Sequence, residues 1–364
     1  MKFSTTLVVG ALLSVFAAGV QAAEEKVLNI YNWNDYVAKD TIAKFEKETG
    51  IKVKYDVYDS NETLQAKLLT GHSGYDLVVP SVEFAGKQIQ SGVHRPLDKK
   101  LLTNYGNLDT TILQKLTAAD PGNKYLVPYM WFTAGIGINE DKVKKALGGD
   151  LPTDMWRLVF DPAYTSKLKS CGISFMDTPS DMFTMANIYF GKNGNDFSKA
   201  TLEATTAGLT KVRKDVKLFN SSPIDLLANG DVCVAVGYSG DIYMARNRAI
   251  EAKNGQKIRY VIPAKGTMLS VDNLVIPKDA KHPENAEKFM NFIMKPEIVA
   301  QISNEVFYAN ANAKATPLVK KEISGDASIY LPEGLKKQLV AKKVIQADEQ
   351  RMLTQYFTQL KTSK

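Results

Sequence analysis

Carboxylates recur along this sequence, several of them beside aromatic rings: Trp33-Asn34-Asp35-Tyr36, Ser81 to Phe84 with Glu83, Asp177 to Asp181, Tyr238-Ser239-Gly240-Asp241 and Ser270-Val271-Asp272. A carboxylate neutralises an ammonium or guanidinium end, and an aromatic face attracts a cation while covering methylenes. A pocket assembled from these residues suits an elongated organic cation. Each also has a plainer role: a tryptophan at a strand end packs in a core, and a single aspartate after a strand caps a helix. Asp241, just before Ile242 and a helical stretch, fits such a cap.

Other chemistry lacks its residues. The three histidines (His72, His94, His282) and two cysteines (Cys171, Cys233) show no CxxC or HExxH spacing, which argues against zinc and against a Cys/His nucleophile. Residues 237 to 241 (GYSGD) superficially match a nucleophile elbow, but G-x-S-x-G requires glycine where Asp241 stands. An exported hydrolase is the alternative from another class. A receptor for an anion or a metal ion would need basic residues or clustered ligands at these positions, where acids and rings stand. No metal and no cofactor are expected.

The elements that must position these residues alternate. Leu28 to Trp33 reads as a strand. A helix follows, with Asp40 as N-cap and Gly50 as its stop, and then a strand with Ile51, Val53, Tyr55 and Val57 alternating. Asn61 to Gly71 reads as a helix, Asp76 to Ser81 as a short buried strand and Phe84 to Ser91 as a helix. The same alternation returns at 172–176, 180–191, 231–238, 241–255, 268–276 and 282–294, which predicts largely parallel sheet covered by helices. Between the halves, Tyr125 to Asn139 is an apolar run with little helical periodicity, as expected of strands crossing between two α/β lobes. The candidate residues then fall at strand ends, where open α/β sheets bind ligands.

Composition fits a globular chain of about two domains: 364 residues, 45% hydrophobic, 23% charged. The net charge of +7 is mild and spread out, so nucleic acid is not the implied partner. Lys2, the apolar stretch Leu7 to Val20 and the small residues near Ala22 read as a secretory signal over 1–22. That stretch is short of the ~20 residues that span a bilayer. No cysteine stands near the cut to carry a lipid. The product is expected free in an exported compartment, most simply a bacterial periplasm. There Cys171 and Cys233 would form a single disulfide, with two buried free thiols as the alternative.

Specific stretches resemble a known family: IYNWNDY (30–36), YDLVVPS (75–81), VPYMW (127–131), KLKSCGISFMD (167–177), LANGDVCVAVGYSGD (227–241) and VFYANANAKATPL (306–318). In order and over nearly the whole chain after residue 22, they resemble the periplasmic polyamine-binding components of ABC importers, nearest the putrescine-binding branch. The resemblance implies a two-lobed periplasmic binding protein fold, each lobe a mixed sheet flanked by helices, with the ligand cleft at the hinge. The lobes would be 23–128 with 249–322, and 129–248 with 323–364. It implies a monomer that delivers a polyamine to a membrane permease, a Cys171–Cys233 pair and a set of site residues. Trp33 would stack on the ligand chain with Asn34 and Tyr36 beside it. Asp35, Asp181, Asp241 and Asp272 would be the acids, Ser81 a hydroxyl, and Tyr238 and Tyr308 aromatic walls. Two positions depart from the pattern. Ser270 stands where relatives carry a bulky aromatic, and Glu83 where they carry a small polar residue or tyrosine. If Glu83 lines the pocket it favours another positive group; the alternative is that it points to solvent and another ring compensates for Ser270. The ligand is therefore expected among putrescine, agmatine, cadaverine, spermidine or a larger amine, for transport or for sensing.

Overall fold

The computed structural model describes residues 24–332 and 339–363; the expected signal segment lies outside the described residues. The strands are β1 (Val27–Trp33), β2 (Lys52–Tyr58), β3 (Leu77–Val78), β4 (Val127–Asn139), β5 (Ile173–Phe175), β6 (Leu218–Phe219), β7 (Val234–Tyr238), β8 (Ile258–Val261), β9 (Met268–Leu274), β10 (Ala309–Asn310) and β11 (Val340–Ala341). In the first half β1 lies between β2 and β3, all parallel. In the second, β5 runs parallel to both β6 and β7. Helices intervene between successive strands except from β8 to β9, so the α/β alternation of the sequence is largely the alternation of the fold.

β4 joins the two halves. Its residues 127–133 pair antiparallel with β9, and its residues 134–138 pair antiparallel with β7. Every residue of β4 is buried, so the strand reads as an unbroken apolar run rather than an alternating one. β8 pairs with residues 136–139 of β4, alongside β7, so residues 258–261 join the sheet of the second half although the sequence reading placed them with the first. The chain returns to the first half only at β9. Gly135 makes that pairing possible, because a Cβ there would collide with the Val261 carbonyl and the Tyr260 ring.

Local signals act as expected, with informative exceptions. The helix Thr41–Thr49 stops at Gly50, whose φ of 71° is left-handed. Asp40 holds the N-cap position, but its side chain makes no cap bond; it pairs with Lys44 (2.9 Å) and accepts from Gln301 (2.8 Å). The strand expected over 76–81 is buried throughout, yet only Leu77 and Val78 enter the ladder, because Pro80 has no N–H to donate. Beyond it, a single bridge pairs Ser81 with Asp272 of β9. Cys171 and Cys233 form the disulfide, Cα atoms 5.4 Å apart and 62 positions apart in sequence, and pin together the starts of β5 and β7. Closing a loop of that length contributes roughly 4 kcal/mol in the chain-entropy account.

Candidate functional site

The site begins where β1 and β2 end together. Their parallel register sets Trp33 opposite Tyr58, with ring centroids 4.7 Å apart. Both rings are fixed by one acceptor, the Val79 carbonyl, which takes the Trp33 indole N–H (2.8 Å) and the Tyr58 hydroxyl (2.6 Å). That carbonyl is available because the chain leaves the ladder before Pro80. After Trp33 the backbone turns through Asp35, at a left-handed φ of 51°, and carries Tyr36 inward. The Tyr129 hydroxyl donates to the Tyr36 carbonyl at 2.6 Å and holds that turn in place.

Two buried acids face this aromatic wall, and an exposed third, Asp59, stands at its rim. Asp272 is buried, accepting from the Tyr36 hydroxyl (2.7 Å) and from Ser81 Oγ (2.6 Å). Ser81 Oγ itself accepts from Asn61 Nδ2 at 3.0 Å, so its one hydrogen is committed to Asp272. Burial pushes the Asp272 carboxyl up to about 8, against the lowering effect of these two hydroxyls; the charges of Glu83 and Asp181 add to the rise. Asp241 lies in the first turn of the helix Ser239–Glu251, directly after β7. It does not cap that helix; its Oδ1 accepts the Tyr308 hydroxyl at 2.8 Å. Burial raises its carboxyl to about 7, partly offset by Tyr308. Gly240 is required beside it, since a Cβ there would overlap the Tyr308 ring.

Tyr36 and Tyr308, the hydroxyl donors to these two acids, meet edge to face at 5.1 Å. Phe132 of β4 packs against Tyr308 (5.8 Å) and Tyr238 (5.0 Å). The result is a cleft with about 520 Å³ of unfilled space, its open mouth included, walled by rings and carrying a buried carboxyl on either side of the Tyr36–Tyr308 pair. Such a space can strip water from an alkyl chain while neutralising ammonium groups at the acids.

Of the residues singled out in the sequence, Trp33, Asn34, Tyr36, Tyr238, Asp241, Asp272 and Tyr308 line this cleft together. Ser81 stands behind Asp272 as its donor. Asp35 turns away: half-exposed, it pairs with Arg248 (3.1 Å), which also holds Asp225 (2.7 Å). Glu83, Ser270 and Asp181 are buried one step behind the wall. Glu83 neither lines the cleft nor reaches solvent; its Oε2 accepts from Ser270 Oγ at 3.0 Å. Across the β4–β9 register Ser270 stands opposite Phe132, whose ring lines the cleft. Asp181 accepts the Tyr238 hydroxyl (2.7 Å) and pairs with Lys342 (2.8 Å), a residue that sequence reasoning did not single out. Tyr58, Asp59, Phe132, Ser221, Ser222 and Ile224 also line the cleft and were missed. Ser221 and Ser222 follow β6, so the strand-end rule could have found them. Phe132 lies inside the apolar run of β4, where nothing distinguishes a wall residue from core.

Comparisons with known proteins identify the family. Residues 40–329 match the model of a family described as bacterial extracellular solute-binding protein. The chain is 49% identical to the putrescine-binding periplasmic protein SpuD of Pseudomonas aeruginosa, over 100% of this chain and 99% of the relative. It is 48% identical to the putrescine-binding periplasmic protein PotF of Escherichia coli, over 100% and 98%. Among solved structures, a Listeria monocytogenes chain superposes with a TM-score of 0.83 at 35% identity, covering 93% of this chain and 100% of that one. The spermidine/putrescine ABC transporter substrate-binding protein PotD of Streptococcus pneumoniae gives 0.74 at 28%, covering 93% and 99%. The chain shares the two-lobed periplasmic binding protein fold of these structures. The chain belongs to the bacterial extracellular solute-binding proteins.

Proposed function

We propose that this protein captures a polyamine of the putrescine class in the periplasm and delivers it to a membrane ABC permease. The observation that carries the reading is the pair of buried carboxyls, Asp241 and Asp272, each oriented by a tyrosine hydroxyl and set among rings. Neither has a cationic partner among the described residues at hydrogen-bond distance, so a dication would supply what the fold leaves out. The names of SpuD and PotF, putrescine-binding proteins alike over the full chain, support the same ligand class. The family binds solutes, and the chain is a binding protein rather than an enzyme.

Binding follows from the physical requirements of burying charge. An ammonium leaving water costs several kcal/mol unless carboxylates and hydroxyls replace its hydration. Asp272 with Tyr36 would do this at one amine, and Asp241 with Tyr308 at the other. Trp33 and Phe132 would cover the methylenes between them. Gripping one ligand from both halves favours a closed arrangement of the lobes over an open one. Micromolar affinity needs about 8 kcal/mol, within reach of several charge-assisted bonds plus aromatic burial after ordering costs. The test is calorimetry of the exported protein against putrescine, cadaverine, agmatine, spermidine, neutral amino acids and sulfate. Saturable binding of a diamine is expected. Binding of the anion or of a neutral amino acid, with no amine bound, would overturn the reading.

A further inference from the structure

Behind the cleft wall the chain carries a cation of its own. β11 pairs in parallel with β9, Val340 beside Met268 and Ala341 beside Leu269. The next N–H, that of Lys342, donates to the Leu269 carbonyl at 3.2 Å, so Lys342 follows β9 as far as Ser270. Ser270 and Asp272 lie two apart on one strand and therefore on one face. The Lys342 side chain is 0% exposed and that of Asp181 4%. Its Nζ donates to Asp181 Oδ1 at 2.8 Å and approaches Thr184 Oγ1 at 3.5 Å. The other oxygen of Asp181 accepts the hydroxyl of Tyr238, which lines the cleft. A single carboxylate thus separates the wall from the ammonium. Glu83, bound to Ser270 Oγ, brings a second buried carboxyl to the same corner, and Glu62 a third acid within electrostatic reach of Lys342.

Isolated ammonium groups are rarely buried, and this one is held only because Asp181 neutralises it. The arrangement has the composition of an amine subsite: a carboxylate oriented by a tyrosine, as at Asp272 and Asp241, but with its ammonium supplied by the protein. We infer that Lys342 is a specificity-determining residue whose ammonium, held by Asp181 behind Tyr238, takes the place of a further ligand amine and restricts the cleft to ligands with two cationic ends. The inference rests on the polyamine reading above and gives it a limit of length and charge. Ser270 belongs to the same corner, its hydroxyl donating to Glu83.

Removing the lysine would leave Asp181 and Glu83 with one positive charge fewer and open the volume of a butylammonium chain beside them. A triamine could then return that charge from the ligand. The experiment is calorimetry of putrescine and spermidine with the wild type, Lys342→Ala and Lys342→Met; the methionine variant keeps most of the packing and removes only the charge. The wild type is expected to prefer putrescine. The ratio of spermidine to putrescine affinity should rise at least tenfold in Lys342→Ala and less in Lys342→Met, whose side chain still fills the space. An unchanged ratio in whichever variants melt cooperatively, or a wild type that prefers spermidine, would overturn the role of Lys342 and leave the polyamine reading standing. A wild type that binds neither amine would overturn that reading, and this inference with it.

Discussion

Asp272 and Asp181 are built alike and end differently. Each is buried, and each accepts a tyrosine hydroxyl at 2.7 Å, from Tyr36 and Tyr238 respectively. Asp181 then finds the Lys342 ammonium at 2.8 Å. Asp272 finds Ser81 at 2.6 Å and, among the described residues, no cation at that range. The contrast separates two uses of a buried acid. Completed from within, it carries its own counter-ion; left without a charge partner, it is held up to about 8 and is open to one from solution. Residue type does not distinguish the two; the presence of an internal partner does.

The sharpest way to break the comparison is to remove the charge of Asp272 while keeping its shape. Asp272→Asn keeps the shape and an acceptor for one of the two hydroxyls, so the fold should stand at some cost in stability, yet diamine affinity should fall on the order of a hundredfold, the value of a charge-assisted bond of about 3 kcal/mol. An affinity within threefold of wild type by calorimetry would contradict the assignment. Proton competition comes next. Asp272 and Asp241, raised to about 8 and about 7, must lose their protons before an ammonium binds, so affinity should drop at least tenfold, roughly one decade per pH unit for each proton displaced, as pH falls from 8 to 6. A flat profile would mean that neither carboxyl meets the ligand. Without ligand the sign reverses. A carboxyl raised in the folded state adds stability that is complete below its unfolded value near 4 and is lost as pH rises through 7 to 8. The thermal midpoint of the free protein should therefore fall over that window, and putrescine should restore it.

Smaller effects refine the picture. Gly240→Ala must push the Tyr308 ring off the backbone and loosen the donor to Asp241, costing about tenfold in affinity, roughly the worth of one hydrogen bond to a charged group. The Arg248 contacts to Asp35 and Asp225 are partly exposed, and such pairs contribute at most about 1 kcal/mol. Asp35→Asn should therefore change affinity by less than about fivefold; a larger loss would return Asp35 to the ligand shell.

How far the sequence reveals this arrangement can be followed residue by residue. β4 was legible because a strand buried on both faces must be apolar throughout. Asp272, Asp241 and their rings were legible because the strand-end rule and the family resemblance converge on them. Asp35 looked equivalent to them, but one left-handed φ swings it toward Arg248, and nothing in WNDY announces that turn. Glu83 and Ser270 stood out as departures, yet the cation of their corner stands at position 342, far along the chain. Lys342 and Lys343 are neighbours of identical type. Only the pairing of the two-residue β11 against β9 sends the first to Asp181 and the second to Glu349. Contacts of that kind depend on tertiary register, which carries no local pattern.

The central claim, that Asp241 and Asp272 are the acids awaiting an amine, is tested most directly by counting protons. Putrescine binding measured calorimetrically at pH 7 in two buffers of different ionisation enthalpy should show net proton release, reduced in Asp272→Asn. Binding of undiminished affinity with no release, or with proton uptake, would contradict it.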